Sequence, residues 1–378
     1  MKERLLELDI LRGISIVGMI LVITPGDWSQ RFEWMNHAEW RGYPLSDMIF
    51  PSFLFCVGMA MAISFQSKEN QNKDAFALFV KTLKRTALLI LIGLIINGFP
   101  FYELHNLRIP GILQRIAICY FIVASIWILL KSYQIKKMEL WLTISALLIL
   151  VFYYILLYYI PVPGIGISGD NSYNSWPVFI DQNIFGSNHL WELGKTNGVI
   201  TYDPEGIIAS FPASVNVICG LITGIFYLKT SKKYTIVNLL IVGFSLLLFG
   251  MLLDYFEIMP IIKKIWTSSF ALYSSGFSLL VLALIRASIQ FIPKTKYIFY
   301  PFIVYGANAI LAFAISNMLL NVFDFSPNNQ SFREIGYNFV KNFIPYEQWS
   351  SFTFSIIFLA LLFGFLQILY SKRIILRV

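Results

Sequence analysis

The sequence predicts an all-α polytopic membrane protein: a helical bundle of about ten transmembrane helices with both termini in the cytoplasm. Hydrophobic residues make up 57% of the 378 positions and charged residues only 13%, proportions that a soluble domain of this length does not have. The apolar residues also form continuous runs without period-two alternation, which favours helices over a transmembrane barrel.

A membrane-spanning helix needs about 20 mostly apolar residues. The segments that meet this requirement are 6–25, 47–66, 83–99, 111–130, 140–160, 207–228, 235–253, 267–285, 300–320 and 351–370. The basic start of the chain is followed by an apolar run that Asp9 and Arg12 interrupt, without a small-residue cleavage site. We therefore expect a retained first span rather than a cleaved signal peptide.

The orientation follows from the Lys and Arg residues between these segments. One set of loops and termini carries 19 of them and the other carries 8, so the positive-inside rule places both termini in the cytoplasm. The outward loops are the longer ones, and the stretch 161–206 is rich in Gly, Asn, Ser, Pro and Trp. We interpret residues 1–378 as one transmembrane domain with a folded outer loop region at 161–206.

Two classes of ligand are not expected. The net charge of +8 is spread over the loops instead of forming one basic patch, which argues against nucleic acid. The three cysteines fall inside predicted spans without the spacing of metal ligands, so we expect no metal and interpret them as small buried hydrophobes.

Charged residues near the cytoplasmic face suggest an anion site. Asp9 and Arg12 are three positions apart and share one helix face, where they either form a stabilising ion pair or line an inward-facing mouth. Lys84 and Arg85 could add positive charge there. Phosphate groups are the anions that such a mouth would suit.

A histidine lies just before the second span. Asp47 or Ser46 is suited to cap that helix, and Trp40 is suited to anchor the chain at the membrane interface. Those structural roles do not explain His37, whose near-neutral pKa suits general acid or base work. Residue types alone leave a catalytic and a merely solvated histidine both open.

Further polar residues lie at the ends of the other spans. Arg115 either snorkels to the outer interface or, with Gln114, faces the bundle interior. Asp203 is suited to cap the sixth span, with Glu205 in its first turn. Asn308 is a candidate for hydrogen bonds between helices. These patterns leave a transporter and an enzyme both open.

Several motifs, in one order along the chain, resemble the heparan-α-glucosaminide N-acetyltransferase family and its bacterial relatives. The motifs are Leu8 to Gly13, His37 to Trp40 with Asp47 to Pro51, Arg108 to Arg115, Tyr202 to Gly206, Ile265 to Ser269, and Gly306 to Asn308. Relatives have Val-Asn-Asn-Pro-Gly where this chain has Val22 to Gly26, so Thr24 stands in place of an asparagine. The first span begins almost at residue 1, so a bacterial-type core in the inner membrane is the closer comparison.

The resemblance implies that acetyl-CoA binds from the cytoplasm and that its acetyl group reaches an amino sugar on the outer side. The active-site histidine of the family falls on His37, and we expect Asp47 to orient its ring and Thr24 to be the nearest polar stand-in for the missing asparagine. The CoA would contact Asp9, Arg12, Lys84, Arg85, Gln114 and Arg115. The acceptor would contact Trp40, Arg108, Asp203, Glu205 and Asn308.

Other functions remain open beside this one. A transporter of a sugar-like solute would also use polar residues within spans. An O-acyltransferase would instead modify a hydroxyl of an outer glycan or lipid. The Gly- and aromatic-rich spans also permit a homodimer.

Overall fold

The computed structural model describes residues 5–67, 70, 73–229, 232–292, 294–326 and 330–376. The helices in these ranges are α1 (Leu6–Ile23), α2 (Leu45–Phe65), α3 (Ala75–Gly98), α4 (Ile112–Ser132), α5 (Met138–Tyr158), α6 (Trp176–Phe185), α7 (Ser210–Lys229), α8 (Lys232–Tyr255), α9 (Ser268–Phe291), α10 (Thr295–Ile298), α11 (Tyr300–Ala307), α12 (Ala309–Asp324), α13 (Phe332–Lys341) and α14 (Glu347–Ser371). A two-stranded antiparallel hairpin joins β1 (Lys195–Thr196) to β2 (Val199–Ile200), with Lys195 opposite Ile200. The predicted all-α class is confirmed.

Each of the ten predicted spans coincides with a helix or a pair of helices. In the described part of the chain, seven helices are long and apolar enough to cross a membrane, and the α11–α12 pair would bring the number to eight. The other two predicted spans are α1 and α3, each of which carries three or more charged residues. The chain is an integral membrane protein, as its composition predicts.

The ninth predicted span is not one continuous helix. α11 and α12 meet at Asn308, where the chain bends by 85°, so the predicted span 300–320 is a bent pair of helices. The side chain of Asn308 donates to the carbonyl of Ile374 (3.0 Å) and accepts from the N–H of Leu376 (2.9 Å). The break is therefore held by a segment that follows α14, and no local pattern reveals it.

Glycines let α2 and α7 pack against each other closely. A Cβ on Gly58 would lie 1.9 Å from the carbonyl oxygen of Val217, and a Cβ on Gly220 would lie 1.9 Å from that of Phe55. Small residues allow such an approach between membrane helices, where van der Waals packing drives association. The contact fixes α2, whose first turn carries Asp47, relative to α7.

Two sets of contacts mark the two ends of the bundle. At the end that we call the His37 end, Arg115 in the first turn of α4 contacts Ser210, the first residue of α7. At the opposite Asp9 end, Arg286 near the end of α9 pairs with Glu7 in the first turn of α1 and lies over the ring of Tyr227 near the end of α7. α7 therefore runs from the His37 end to the Asp9 end of the bundle.

The loop region 161–206 is folded and lies at the His37 end. It contains α6, the hairpin, and an isolated bridge between Val162 and Gly166. The indole N–H of Trp176 donates to the carbonyl of Ile160 (2.8 Å), and the Gln182 amide donates to the carbonyl of Thr201 (3.1 Å). These bonds connect α6 to both ends of the region.

Candidate functional site

The central feature of the His37 end is a histidine held by a buried carboxylate. Nδ1 of His37 lies 2.7 Å from Oδ1 of Asp47, whose side chain is only 1% exposed. The other carboxylate oxygen, Oδ2, accepts the backbone N–H of Ala38 (3.1 Å). The carboxylate thus holds both the ring and the backbone of the loop, while 42% of the His37 side chain stays exposed.

The loop before α2 is fixed by its own bonds. α2 begins at Leu45 with Pro44 as its N-cap, so the prediction that Ser46 or Asp47 caps this helix is wrong. The Ser46 hydroxyl instead donates to the carbonyl of Asn36 (2.6 Å), next to the histidine. Both candidate caps are occupied in positioning the histidine loop, which explains why neither caps the helix.

A third residue, Lys263, joins the pair from a loop that is distant in sequence. Its Nζ lies 2.9 Å from Oδ1 of Asp47 and 3.2 Å from Nδ1 of His37, and its side chain is 16% exposed. In the sequence, Lys263 is only one of the eight basic residues of the outward loops. The nearest sequence signal is the Ile265 to Ser269 motif, which begins two residues later.

The geometry defines the reactive nitrogen of His37. A carboxylate can only accept hydrogen bonds, so the 2.7 Å contact places the ring proton on Nδ1 and leaves the lone pair on Nε2. Among the described residues, none forms a hydrogen bond to Nε2. Partial burial and the charge of Lys263 lower the pKa of His37 against the opposing effect of Asp47. The imidazole is therefore suited to accept a proton or to act as a nucleophile.

Thr24 lies apart from this group. It is fully buried, and its hydroxyl donates to the carbonyl of Ile20 (2.8 Å) at the end of α1. Its own carbonyl accepts the hydroxyl of Ser355 from α14 (2.7 Å). No contact in the described part of the structure joins Thr24 to His37.

A second charged cluster at the same end contains three of the predicted acceptor residues. Nε of Arg108 lies 2.8 Å from Oδ2 of Asp203, and Nη2 lies 2.6 Å from Oδ1 of Asp203 and 2.5 Å from Oε2 of Glu205. Burial acts to lower the pKa of Arg108, but the two carboxylates outweigh it and the pKa is raised. The cluster ties the entry to α4 to the end of the 161–206 region.

The same cluster corrects a predicted helix start. α7 begins at Ser210, so the prediction that Asp203 caps the sixth span with Glu205 in its first turn is wrong. The Asp203 carboxylate accepts the backbone N–H groups of Trp191 and Glu205, both at 2.9 Å, in addition to Arg108. With its oxygens used in this way, Asp203 stabilises a turn before the helix instead of the helix itself.

Aromatic rings connect the two clusters. The rings of Trp40 and Tyr202 meet edge to face at 5.3 Å, and Nζ of Lys264 lies 5.2 Å from the centre of the Tyr202 ring. The indole N–H of Trp40 donates to the carbonyl of Asp170 (3.1 Å) in the 161–206 region. Trp40 therefore lies with the Arg108 cluster at the His37 end.

Gln114 and Arg115 are also at the His37 end. Arg115 is fully buried, with its guanidinium 4.8 Å from the centre of the Trp266 ring and Nη2 3.3 Å from the carbonyl oxygen of Gly206. Gln114 lines a cavity of about 60 Å³ together with Asn97. Nη1 of Arg115 and Nε2 of Gln114 are buried donors without a hydrogen-bond partner in the described part of the chain.

The remaining predicted cofactor residues divide between two places. Asp9 and Arg12 form an ion pair of 2.6 Å at the Asp9 end. Arg85 of α3 lies over the Tyr120 ring of α4 at 4.5 Å, and its neighbour Lys84 is exposed. Lys84 and Arg85 thus belong to α3, whereas Asp9 and Arg12 belong to α1.

Asn308 is not close to the other predicted acceptor residues. It follows Gly306 by two positions, and a Cβ on Gly306 would lie 2.0 Å from the carbonyl oxygen of Asp9. Its side chain is bonded to the backbone of Ile374 and Leu376. The structure therefore places Asn308 at the Asp9 end.

Asp181 is a buried acid that lies in none of the sequence motifs above. Its side chain on α6 is 1% exposed, and Oδ1 accepts the backbone N–H of Ile207 (3.0 Å). Burial and the nearby charge of Asp203 raise its pKa to about 7, against the effects of Ile207 and Arg115. Among the described residues, His, Cys, Asp and Glu form no cluster suited to a metal ion.

Comparison with known proteins places the chain in a family. The family model described as "Heparan-alpha-glucosaminide N-acetyltransferase, catalytic" matches residues 4–235. Proteins named heparan-alpha-glucosaminide N-acetyltransferase are similar over most of the chain: that of Homo sapiens is 28% identical over 375 residues (88% of this chain, 56% of the relative), and that of Mus musculus is 26% identical over 393 residues (92% and 58%). The chain spans somewhat more than half the length of these relatives. It belongs to the heparan-alpha-glucosaminide N-acetyltransferase catalytic family.

Proposed function

We propose that this chain is a transmembrane acetyltransferase that moves the acetyl group of acetyl-CoA to the amine of an amino sugar. The observation that carries the proposal is the His37–Asp47 pair, in which Nδ1 faces a buried carboxylate and Nε2 is available for chemistry. Family membership supports the reaction class. General acid–base work of this kind contributes about 10²–10⁴-fold to a rate.

The proposed reaction uses His37 as the base. The acceptor nitrogen attacks the thioester carbonyl while its proton moves to Nε2, the new C–N bond forms, and the C–S bond breaks. The imidazolium then returns the proton to the departing CoA sulfur. Asp47 stabilises the positive ring through its contact with Nδ1.

A second route gives the same products, the acetylated amine and free CoA. Nε2 attacks the thioester first and forms an acetyl-imidazole as CoA leaves, and the amine then takes the acetyl group from the ring. Incubation with acetyl-CoA alone distinguishes the routes. Mass spectrometry of the peptide that contains His37 would show an added acetyl group only if the histidine carries it.

The two ends of the bundle suit the two substrates. The Asp9–Arg12 pair at one end offers a guanidinium to the phosphates of CoA, and the distribution of Lys and Arg residues supports a cytoplasmic location for this end. The hydrocarbon core is about 30 Å thick, so the thioester must pass through the bundle to reach His37. The unpartnered donors of Gln114 and Arg115 fit the polar part of such a ligand near the His37 end.

The acceptor would bind on the outer side of His37. Trp40 is half-buried beside Tyr202 and offers an aromatic face of the kind that stacks on sugar rings. Arg108 is already paired with Asp203 and Glu205, which suits that cluster to shaping the pocket more than to binding a charged group.

Purified protein in liposomes, supplied with acetyl-CoA and a panel of sugars, tests the proposal. The panel holds glucosamine, galactosamine and N-acetylglucosamine, the last of which offers hydroxyls but no free amine. We expect release of the CoA thiol and an N-acetylated product with an amino sugar. Acetylation of N-acetylglucosamine at oxygen would favour the O-acyltransferase, and sugar uptake without CoA release would favour the transporter.

A further inference from the structure

We propose that Lys263 is a positioning residue that fixes Asp47 against Nδ1 of His37 and opposes a positive charge on the imidazole. The proposal deepens the acetyl transfer proposed above and rests on it. Neither the family description nor the sequence motifs assign a role to this lysine.

The first support is the three-way contact. Nζ of Lys263 lies 2.9 Å from Oδ1 of Asp47, the same oxygen that faces Nδ1 of His37 at 2.7 Å. Asp47 is 1% exposed and Lys263 is 16% exposed, so water screens their interaction poorly. A buried carboxylate without a charged partner is costly, and Lys263 supplies that partner.

The second support is the loop that holds the lysine. The carboxylate of Asp254 accepts the N–H of Ile261 (2.8 Å) and Nε of Arg41 (2.9 Å), and the carbonyl of Ile261 accepts the N–H of Gly42 (2.9 Å). These bonds join the lysine loop directly to the histidine loop. The relative position of Lys263 and His37 is therefore fixed by backbone contacts as well as by their side chains.

The residues after Lys263 fix its direction further. Trp266 donates its backbone N–H to the carbonyl of Lys263 (2.9 Å) and has a positive φ of 52°, which a bulky residue rarely adopts. Its indole is fully buried and donates to Oδ1 of Asn216 on α7 (3.0 Å). A buried anchor thus holds the turn in an unfavourable conformation that directs Lys263 to the site.

The third support is electrostatic. The charged groups that face His37 are Asp47, Lys263 and Arg31. Asp47 alone would raise the pKa of the imidazole, whereas partial burial, Lys263 and Arg31 lower it, and the net direction is downward. A base must be unprotonated to accept a proton, so the lysine preserves the active form at neutral pH.

Lys263 acts through the other two residues rather than on the substrate. Its Nζ approaches the Nδ1 edge of the ring, whereas the proposed chemistry occurs at Nε2. This location predicts a change in pH dependence when the lysine is replaced. A purely structural role would lower activity at all pH values alike.

The test is a titration of His37 in the full-length protein. The chain has only three histidines, so ¹³C-labelling of histidine gives few NMR signals, and the loss of one signal in His37→Gln identifies the residue. The variants are Lys263→Met and Lys263→Gln, which remove the charge, and Lys263→Arg, which keeps it. Lys341→Met is the control, because it removes a lysine from a different ion pair, with Glu347.

We expect the wild-type midpoint to lie below the ordinary value of 6.5 and to rise by about half a pH unit or more in the neutral variants. The midpoint of Lys263→Arg should stay closer to that of the wild type than to those of the neutral variants. The midpoint of the control should equal that of the wild type. The acid limb of kcat/KM should move with the midpoint, so that activity losses are larger at pH 6 than at pH 8.

An unchanged midpoint in a folded neutral variant would overturn the proposal. If neither neutral variant yields monodisperse protein, a wild-type midpoint at or above 6.5 would overturn it equally. The NMR titration does not depend on turnover. A wild type that shows the lowered midpoint but transfers no acetyl group would contradict the proposed function, not the electrostatic effect of Lys263.

Discussion

Nδ1 of His37 and Oδ1 of Asp47 lie 2.7 Å apart, although ten positions and a change from loop to helix separate the two residues. The contact requires the first turn of α2 to face back toward its own preceding loop. Ser46, bonded to the carbonyl of Asn36, holds that loop in place. A carboxylate that is 1% exposed therefore sets the orientation of a ring that is 42% exposed.

Replacement of the carboxylate should impair the chemical step. Asp47→Asn keeps the size of the side chain but removes its charge, so it neither orients the same tautomer as firmly nor stabilises the imidazolium. We expect kcat to fall about 100-fold or more, with little change in the affinity for acetyl-CoA. Steady-state kinetics and isothermal titration measure the two quantities, and an undiminished kcat would remove Asp47 from the mechanism.

The proposed cofactor end can be tested by binding alone. Arg12→Ala removes the guanidinium that pairs with Asp9, so the affinity for CoA should fall about tenfold, as expected for the loss of a charge-assisted contact. Lys136→Ala, which removes a charge from an exposed loop, serves as the control. Equal CoA affinities of Arg12→Ala and the wild type would exclude Arg12 from the cofactor site.

The Arg108 cluster should contribute more to stability than an exposed pair. Arg108→Lys loses the paired contacts of one guanidinium with Asp203, which we expect to lower the free energy of unfolding by about 1.5–3 kcal/mol. Arg41→Lys, in a pair with Asp254 where the arginine is 48% exposed, should cost less than about 1 kcal/mol. Denaturation of both variants in one detergent gives the comparison, and equal losses would contradict this role for the cluster.

Asp181 should make stability depend on pH. Its pKa is raised from 3.8 to about 7 in the folded protein, so between these pH values the folded carboxyl retains a proton that the unfolded one has lost. The contribution of this group to stability is therefore largest at low pH and declines as the pH rises to about 7.

Melting curves at several pH values test this dependence. In Asp181→Asn the side chain cannot ionise and still has an oxygen to accept the N–H of Ile207, so Tm should fall less between pH 4.5 and 7.5 than it does in the wild type. Parallel curves for the two proteins would show that Asp181 does not titrate in this range.

The sequence alone predicted the helical framework, for a physical reason. Lipid requires every backbone polar group in a span to be bonded within the helix, so continuous apolar runs mark the spans directly. The break at Asn308 escaped prediction because its partners, Ile374 and Leu376, follow α14. A run of apolar residues looks the same in the sequence whether or not a distant backbone segment binds the side chain of a polar residue within it.

The site was predictable only in part. His37 and Asp47 lie in one short motif, so their proximity could be expected, whereas Lys263 is 216 positions from Asp47. The prediction that Asp203 caps a helix was wrong because of another long-range contact. Arg108, 95 positions earlier, uses the oxygens that a cap would need. Local rules fail where a side chain meets a long-range charged partner.

The most direct test compares two histidine variants in one assay. His37→Ala and His105→Ala are reconstituted in liposomes, and release of the CoA thiol is measured with acetyl-CoA and the sugar that gives the fastest release with the wild type. His105 is exposed and contacts the side chain of Asn188, so its variant should retain the wild-type rate. His37→Ala should lose at least about 100-fold in rate while it still binds acetyl-CoA. A His37→Ala rate equal to that of the wild type would contradict the proposal that this histidine performs the transfer.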